Sequence, residues 1–160
     1  MLLRAVTLGD TQAWLDLSHE WDDIVAQLIS DTSVFYEGFD DYMSSKINQN
    51  EAFIAVDRPS GYCLGIVAFS KKNNRIFYLG VAKKADFQLV GSKILEIALN
   101  KLDVAKEITA TVFKSDLAPV RLERGLYESH GFTEHDTVLE AGIPACLMKK
   151  SPVSELAKNW

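Results

Sequence analysis

The sequence predicts a single domain of mixed α/β structure, of the α+β class. Its core is one mixed, mostly antiparallel sheet of six to seven strands with helices on both faces. Short apolar runs at 52–56, 63–69 and 75–82, joined by turn residues, predict an antiparallel meander. A strand–helix–strand crossover follows the meander and makes the sheet mixed. The 160 residues contain no repeat, low-complexity stretch or linker, so we expect one domain over 1–150 and a polar tail over 151–160.

Composition excludes several classes of protein. The chain is 48% hydrophobic with a net charge of -5, which argues against disorder and against a basic nucleic-acid surface. No apolar run approaches the roughly 20 residues that span a bilayer, and the N-terminus lacks the pattern of a signal peptide. The two cysteines indicate no disulfide framework, so we expect a cytoplasmic protein. From its charge and its apolar runs, we expect it to bind neither nucleic acid nor membrane.

The N-terminal third is predicted to be a strand over 2–6 and two helices. Asp10 is a plausible N-cap for the first helix. Its apolar stripe, at three- and four-residue spacing, consists of Trp14, Leu17, Trp21, Val25 and Leu28. We expect both tryptophans to belong to the core rather than to a substrate cage. A loop over 31–38 and a second short helix around 39–47 follow.

The C-terminal half alternates between helical and strand periodicity. The pattern predicts a helix over 87–102 and a strand over 107–113. A further helix begins at Pro119 and ends at Gly131. Two last strands are predicted over 132–139 and 145–148.

Several kinds of catalytic site are absent from the sequence. The three histidines lack metal-ligand spacing and there is no Cys-x-x-Cys pair, so we expect no metal. There is neither a Gly-x-Ser-x-Gly elbow nor a phosphate-binding loop that ends in Gly-Lys-Ser/Thr.

The most informative segment is the strand–loop–helix unit over 75–99. Free N–H groups in the first turn of a helix can bind a phosphate-bearing ligand, and Gly91 and Ser92 lie in that turn. Gly80 interrupts the preceding strand, which often marks the close approach of a ligand. The alternative is that Gly91 only allows the helix to pack tightly on the sheet.

Two motifs in this half resemble the GNAT family of N-acetyltransferases. The segment around Gly91 is similar to the family's acyl-CoA-binding motif, which is a strand, then Arg/Gln-x-x-Gly-x-Gly/Ala, then a helix. Residues 126–132, Leu-Tyr-Glu-Ser-His-Gly-Phe, resemble its Leu-Tyr-x-x-x-Gly-Phe signature. The resemblance implies a GNAT-like fold and an enzyme that transfers an acetyl group from acetyl-CoA to an amine.

The resemblance also implies roles for particular residues. Backbone N–H groups of Leu79, Gly80 and Val81 would hold the thioester carbonyl. Tyr127 would protonate the departing thiolate, although it is equally well explained as a half-buried helix aromatic. The residues implied in cofactor binding after the strand are Asp86, Phe87, Gln88, Leu89, Val90, Gly91 and Ser92.

The cofactor segment departs from the family pattern. Asp86 stands where the family has arginine or glutamine, and Leu89 where it has the first glycine. The charge of Asp86 would repel a pyrophosphate, and the side chain of Leu89 would obstruct backbone approach. Val120 occupies the place nearest to the family's asparagine, and Arg75 stands where some members have a glutamate base. The sequence therefore indicates no base.

Acidic residues crowd the N-terminal helices, which in the family border the acceptor site. They either attract a cationic amine or form a solvated helix face, and we favour the solvated face. They are Glu20, Asp22, Asp23, Glu37, Asp40 and Asp41.

Two principal functions remain open. The first is an acetyl-CoA-dependent N-acetyltransferase for a primary amine of a small molecule or peptide. The second, favoured by Asp86 and Leu89, is a degenerate member that senses acyl-CoA or binds protein without turnover. A purely structural dimerisation domain is a weaker alternative, and a homodimer is left open.

Overall fold

The fold is built on one seven-stranded sheet with strand order β1-β2-β3-β4-β5-β7-β6. The computed structural model describes residues 1–29, 31–140 and 142–153. All neighbouring strands are antiparallel except β4 and β5, which are parallel. The strands are β1 Leu2–Ala5, β2 Ala52–Val56, β3 Cys63–Ser70, β4 Arg75–Val81, β5 Ile108–Phe113, β6 Phe132–Glu140 and β7 Ile143–Lys150. The predicted mixed, mostly antiparallel sheet of six to seven strands is confirmed, and it has seven strands.

Helices cover both faces of the sheet, as predicted. Residues of β3 alternate between two apolar clusters, because successive side chains of a strand point to opposite faces. Val67 and Phe69 belong to the cluster that includes α4 and α5, and Ile66 and Ala68 to the cluster that includes α1 and α3. The helices are α1 Thr11–His19, α2 Asp22–Val25, α3 Phe39–Asn48, α4 Phe87–Lys101 and α5 Ala118–Ser129.

The predicted single N-terminal helix is wrong beyond His19. The structure ends α1 there and begins the short α2 at Asp22, because Trp21 has a non-helical backbone (φ -103°, ψ 9°). Two contacts, one with the last residue of β4 and one with the loop that follows it, accompany the break. The Trp21 indole Nε1–H donates to the Val81 carbonyl at 3.0 Å, and Glu20 Oε1 accepts the Lys83 N–H at 3.1 Å. A 3-10 segment, Thr32–Tyr36, then leads to α3.

The signature over 126–132 forms the end of α5 and the start of β6. Gly131 has φ +89°, the left-handed conformation that glycine adopts most easily after a helix. It turns the chain so that Phe132 enters the core at 2% exposure. Strand β7 begins two residues earlier than predicted and includes Pro144, whose carbonyl accepts the Lys114 N–H at 3.1 Å.

The proposed division into a domain over 1–150 and a tail over 151–160 stays a prediction. Most of that tail, from residue 154 onward, lies outside the described residues. In the described part of the chain, no helix is both long and apolar enough to cross a membrane.

Candidate active site between β4 and β5

A cavity of about 530 Å³ lies between the parallel strands β4 and β5. The two strands pair at Arg75 and Thr109, near the start of each. Further along, residues 77–81 of β4 and Thr111 and Phe113 of β5 line the cavity. Helix α2, the 3-10 segment Thr32–Tyr36 and the start of α5 complete its wall. The gap in the parallel pair therefore creates a space that is large enough for a ligand.

The predicted carbonyl-binding residues of β4 lie on the wall of this cavity. The Ala82 N–H donates to Leu64 of β3 at 2.8 Å, and backbone groups alternate in direction along a strand. The N–H groups of Leu79 and Val81 therefore point away from β3, towards the gap, whereas Gly80 pairs with Ile66 of β3. Two of the three predicted backbone donors thus face the cavity.

Gly80 of β4 packs against the side chain of Tyr78. A Cβ on Gly80 would lie 2.8 Å from the Tyr78 hydroxyl oxygen, which is too close for any side chain. Tyr78 also exchanges a hydrogen bond with the Ser18 hydroxyl at 2.7 Å. Gly80 thus leaves room for a tyrosine that links β4 to α1.

The start of α4 already holds a carboxylate. Asp86 is the N-cap, and its Oδ1 accepts the Leu89 N–H at 3.0 Å. Since Glu20 accepts the Lys83 N–H, two backbone donors of the loop and first turn are bound to side chains of the chain itself. Leu89 is 54% exposed. The structure therefore places an anion of its own where the resemblance predicts a bound pyrophosphate.

The other residues predicted to bind the cofactor are divided between core and surface. Val90 and Gly91 are buried, and a Cβ on Gly91 would lie 2.8 Å from Leu126 Cδ2 of α5. Gly91 therefore permits close packing of α4 on α5. Phe87 lines the cavity, while Gln88 is exposed and its amide nitrogen lies 3.5 Å from the Ser92 hydroxyl.

Tyr127 lies deeper in the core than predicted. It is 2% exposed, and its ring packs edge-on against Phe132 with centroids 5.2 Å apart. In the described structure, the α5 residues that line the cavity are Pro119, Val120, Leu122 and Glu123, and they do not include Tyr127. Burial raises the pKa of the Tyr127 hydroxyl well above its ordinary value, and the nearby Glu123 raises it further. The phenol therefore keeps its proton at neutral pH.

Glu123 is the site residue that sequence reasoning missed. It is half-buried on the cavity wall, one helical turn before Tyr127. Burial raises the pKa of its carboxyl to about 7, because the charged form loses hydration there. The signal was present in the sequence: an acidic residue shares a helix face with Val120 and Tyr127, both buried.

Trp21 is a second cavity residue, and its assignment to the core is wrong. Trp14 is fully buried, as predicted, but the break after α1 turns Trp21 to the cavity wall. The Lys83 ammonium lies 5.2 Å from its ring centroid and 3.0 Å from Asp23 Oδ1.

The acidic residues of the N-terminal helices do not line this cavity in the described structure. Asp22 accepts a hydrogen bond from the Tyr36 hydroxyl at 2.5 Å and contacts His19 at 2.6 Å. Glu20 and Asp23 bind residue 83, and the remaining three are exposed: Glu37, Asp40 and Asp41. Their placement agrees with the solvated-face interpretation.

Comparisons with known proteins identify the family of the chain. The family model described as the acetyltransferase (GNAT) domain matches residues 21–152. The comparison with curated proteins gave no significant match.

Solved structures share the fold at low identity. The PaiA N-acetyltransferase of Thermoplasma acidophilum, in complex with coenzyme A, has a TM-score of 0.70 and is 14% identical over 94% of this chain and 98% of its own. YncA, a putative acetyltransferase of Salmonella typhimurium with acetyl-CoA, has a TM-score of 0.69 and is 13% identical over 97% and 95%. A GNAT-family acetyltransferase of Staphylococcus aureus has a TM-score of 0.71 and is 10% identical over 93% and 97%. With the family model matching most of its length, the chain belongs to the GNAT acetyltransferase family.

Proposed function

We propose that the protein transfers the acetyl group of acetyl-CoA to a primary amine of a small molecule or peptide, by direct attack of the amine on the thioester. The observation that carries the proposal is the cavity between β4 and β5, into which the N–H groups of Leu79 and Val81 point. A backbone N–H donor that faces the reacting carbonyl stabilises the negative charge that develops on its oxygen during acyl transfer.

Tyr127 is the proposed proton donor to the departing thiolate. Its raised pKa keeps the hydroxyl protonated at neutral pH, so the proton is present when the thiolate departs. Glu123, one turn earlier on α5, lies on the cavity wall and close enough to affect the Tyr127 hydroxyl, so the proposal places the thiolate on that side of the helix.

Residues 86–92 are proposed to form the end of the site that faces the nucleotide of acetyl-CoA. Within this range, Gly91 permits the packing of α4 on α5 and does not touch the ligand. Proteins with this fold were crystallised with coenzyme A or acetyl-CoA, which supports acetyl-CoA as the ligand. The Asp86 cap predicts weak binding at this end, because its charge opposes that of a phosphate. We also keep the sequence-based proposals of a cytoplasmic location and no metal, and a homodimer stays open.

The second candidate function is an acyl-CoA-sensing or protein-binding module without turnover. The Asp86 carboxylate on the Leu89 N–H favours it, because that contact must be displaced or tolerated by the ligand.

Two measurements separate the candidates. Calorimetric titration with acetyl-CoA tests binding, and release of free thiol with a panel of amines tests transfer. Binding together with amine-dependent thiol release is the result expected of the enzyme. Binding without thiol release from the whole panel would favour the sensing module. No binding at millimolar acetyl-CoA would contradict both the enzyme and the acyl-CoA sensor and would leave the protein-binding module.

A further inference from the structure

The cavity between β4 and β5 carries one unbalanced carboxyl group. Of its charged lining residues, Lys83 pairs with Asp23 at 3.0 Å. Glu140 pairs with Arg75 and also accepts the Thr111 hydroxyl at 2.7 Å. Glu123 has neither a hydrogen bond nor an ion pair within residues 1–29, 31–140 and 142–153. A ligand that balances this cavity therefore brings a single positive charge.

The remainder of the wall is largely apolar and aromatic. The 3-10 segment places Phe35 edge-on against Phe113 of β5, with centroids 5.7 Å apart. Trp21, Phe77 and Leu28 contribute further apolar lining. Such a wall favours a ligand with an apolar body and disfavours one with several charges, since each unpaired charge would lose its hydration there.

We propose that the acceptor is a monocationic primary amine on an apolar, aromatic-sized body, and that Glu123 receives the ammonium group and takes its proton. This inference rests on the proposed acetyl transfer and identifies its acceptor class and its base.

The proton balance of the step is complete. Glu123 takes one proton from the ammonium, and the neutral nitrogen forms the new C–N bond while the C–S bond of the thioester breaks. The nitrogen loses a second proton as the amide forms. One of the two protons ends on the thiol, through Tyr127, and the other passes from Glu123 to solvent.

The surroundings of Glu123 agree with a base that works near neutrality. Its pKa of about 7 leaves a substantial fraction ionised at that pH. In addition to burial, the negative charge of Glu123 raises the pKa of the Tyr78 and Tyr127 hydroxyls, and the positive charge of Arg75 lowers the pKa of the Tyr127 hydroxyl. The titratable and charged groups around it are Tyr36 of the 3-10 segment, Arg75 and Tyr78 of β4, Lys83 of the following loop, Tyr127 of α5 and Glu140 of β6.

The first test compares two amines of similar shape with acetyl-CoA as donor. For 2-phenylethylamine, Glu123→Gln should lower kcat/KM about a hundredfold at neutral pH, because the ammonium no longer meets a base. For 2,2-difluoro-2-phenylethylamine, whose fluorines favour the neutral amine, the loss should be about tenfold or less. Glu128→Gln, an exposed position on the same helix, should match the wild type with both amines.

Three outcomes of this test would overturn the inference. One is an equal loss with both amines, which would mark Glu123 as merely structural. Another is wild-type kcat/KM in the Glu123→Gln variant. The third is better turnover of spermidine than of 2-phenylethylamine, which would contradict the acceptor class.

A second measurement does not depend on turnover. In protein with carboxyl-¹³C-labelled glutamate, the resonance that disappears in Glu123→Gln should titrate near neutrality. Added 2-phenylethylamine should lower that pKa, because a bound ammonium stabilises the carboxylate. A pKa that the amine leaves unchanged would overturn the inference even if the protein acetylates other amines. If the proposed acetyl transfer itself is wrong, the wild type should instead show neither acetyl-CoA binding nor amine-dependent thiol release.

Discussion

The Asp86 carboxylate and the Leu89 N–H form a hydrogen bond of 3.0 Å at the first turn of α4. A helix N-terminus attracts anions, because its N–H groups are unpaired and its dipole is positive there. In this chain the anion is supplied by the protein. If the nucleotide end of acetyl-CoA binds here as proposed, it therefore competes with the Asp86 cap for the same end of the helix.

Replacing Asp86 should separate capping from charge. Asparagine caps a helix about as well as aspartate but is neutral. We expect Asp86→Asn to keep the melting temperature and to lower the Kd for acetyl-CoA about fivefold, the equivalent of about 1 kcal/mol of repulsion. Asp86→Arg with Leu89→Gly should tighten binding further, each change contributing on the order of 1 kcal/mol. An unchanged calorimetric Kd in both variants, with the fold intact, would show that Asp86 does not oppose the ligand.

Binding of acetyl-CoA should perturb a defined stretch of backbone. If the pantetheine chain runs along β4, its amides pair with the strand as an added strand would. Amide chemical-shift changes in a titration should therefore cluster at residues 79–92. Changes concentrated elsewhere would place the ligand at another site.

Substitution of Gly91 should affect stability rather than binding. The Cβ of Gly91→Ala would lie 2.8 Å from Leu126 Cδ2, and Leu126 is fully buried. We expect a loss of about 1–3 kcal/mol in the free energy of unfolding by urea, with little change in the acetyl-CoA Kd. Gly125→Ala is the matched control on α5, since its Cβ meets no atom within 4 Å among the described residues; it should raise stability by about 0.5–1 kcal/mol. Weaker binding with unchanged stability in Gly91→Ala would restore a ligand role for that glycine.

Tyr127 should be needed for turnover and not for packing. Tyr127→Phe keeps the ring against Phe132 and removes the proton donor. We expect kcat to fall roughly a hundredfold, while the KM for acetyl-CoA and the melting temperature change little. Wild-type kcat in this variant would leave water as the proton source for the thiolate.

Glu123 should make stability depend on pH in a particular direction. Its pKa is raised from 4.5 to about 7, so the folded state favours the protonated form. Below pH 4.5 the group is protonated in both the folded and the unfolded state and costs no stability. As pH rises through about 7, the free energy of unfolding falls, because the unfolded state ionises more easily than the folded state. Glu123→Gln cannot ionise. Its free energy of unfolding should equal that of the wild type near pH 4 and exceed it by about 3 kcal/mol at pH 9. Glu128→Gln should show no such divergence, and parallel curves for all three proteins would contradict the raised pKa.

The strands and most helices were predictable because their signals are local. Short apolar runs joined by turn residues predicted β2, β3 and β4, and helical periodicity indicated α4. The signature over 126–132 was readable for the same reason, since Gly131 supplies a backbone conformation that few other residues adopt easily. These features, and the family resemblance that rests on them, belong to the sequence by itself.

The site was decided by contacts between distant parts of the chain. The apolar stripe predicted a helix that runs past Trp21, but the hydrogen bond from its indole to Val81, sixty residues away, accompanies a break that no local pattern indicates. The carboxyl of Glu123 is an ordinary acid in the sequence. Its pKa rises only because α5 packs it beside β4 and away from water, and desolvation is a property of the assembled fold.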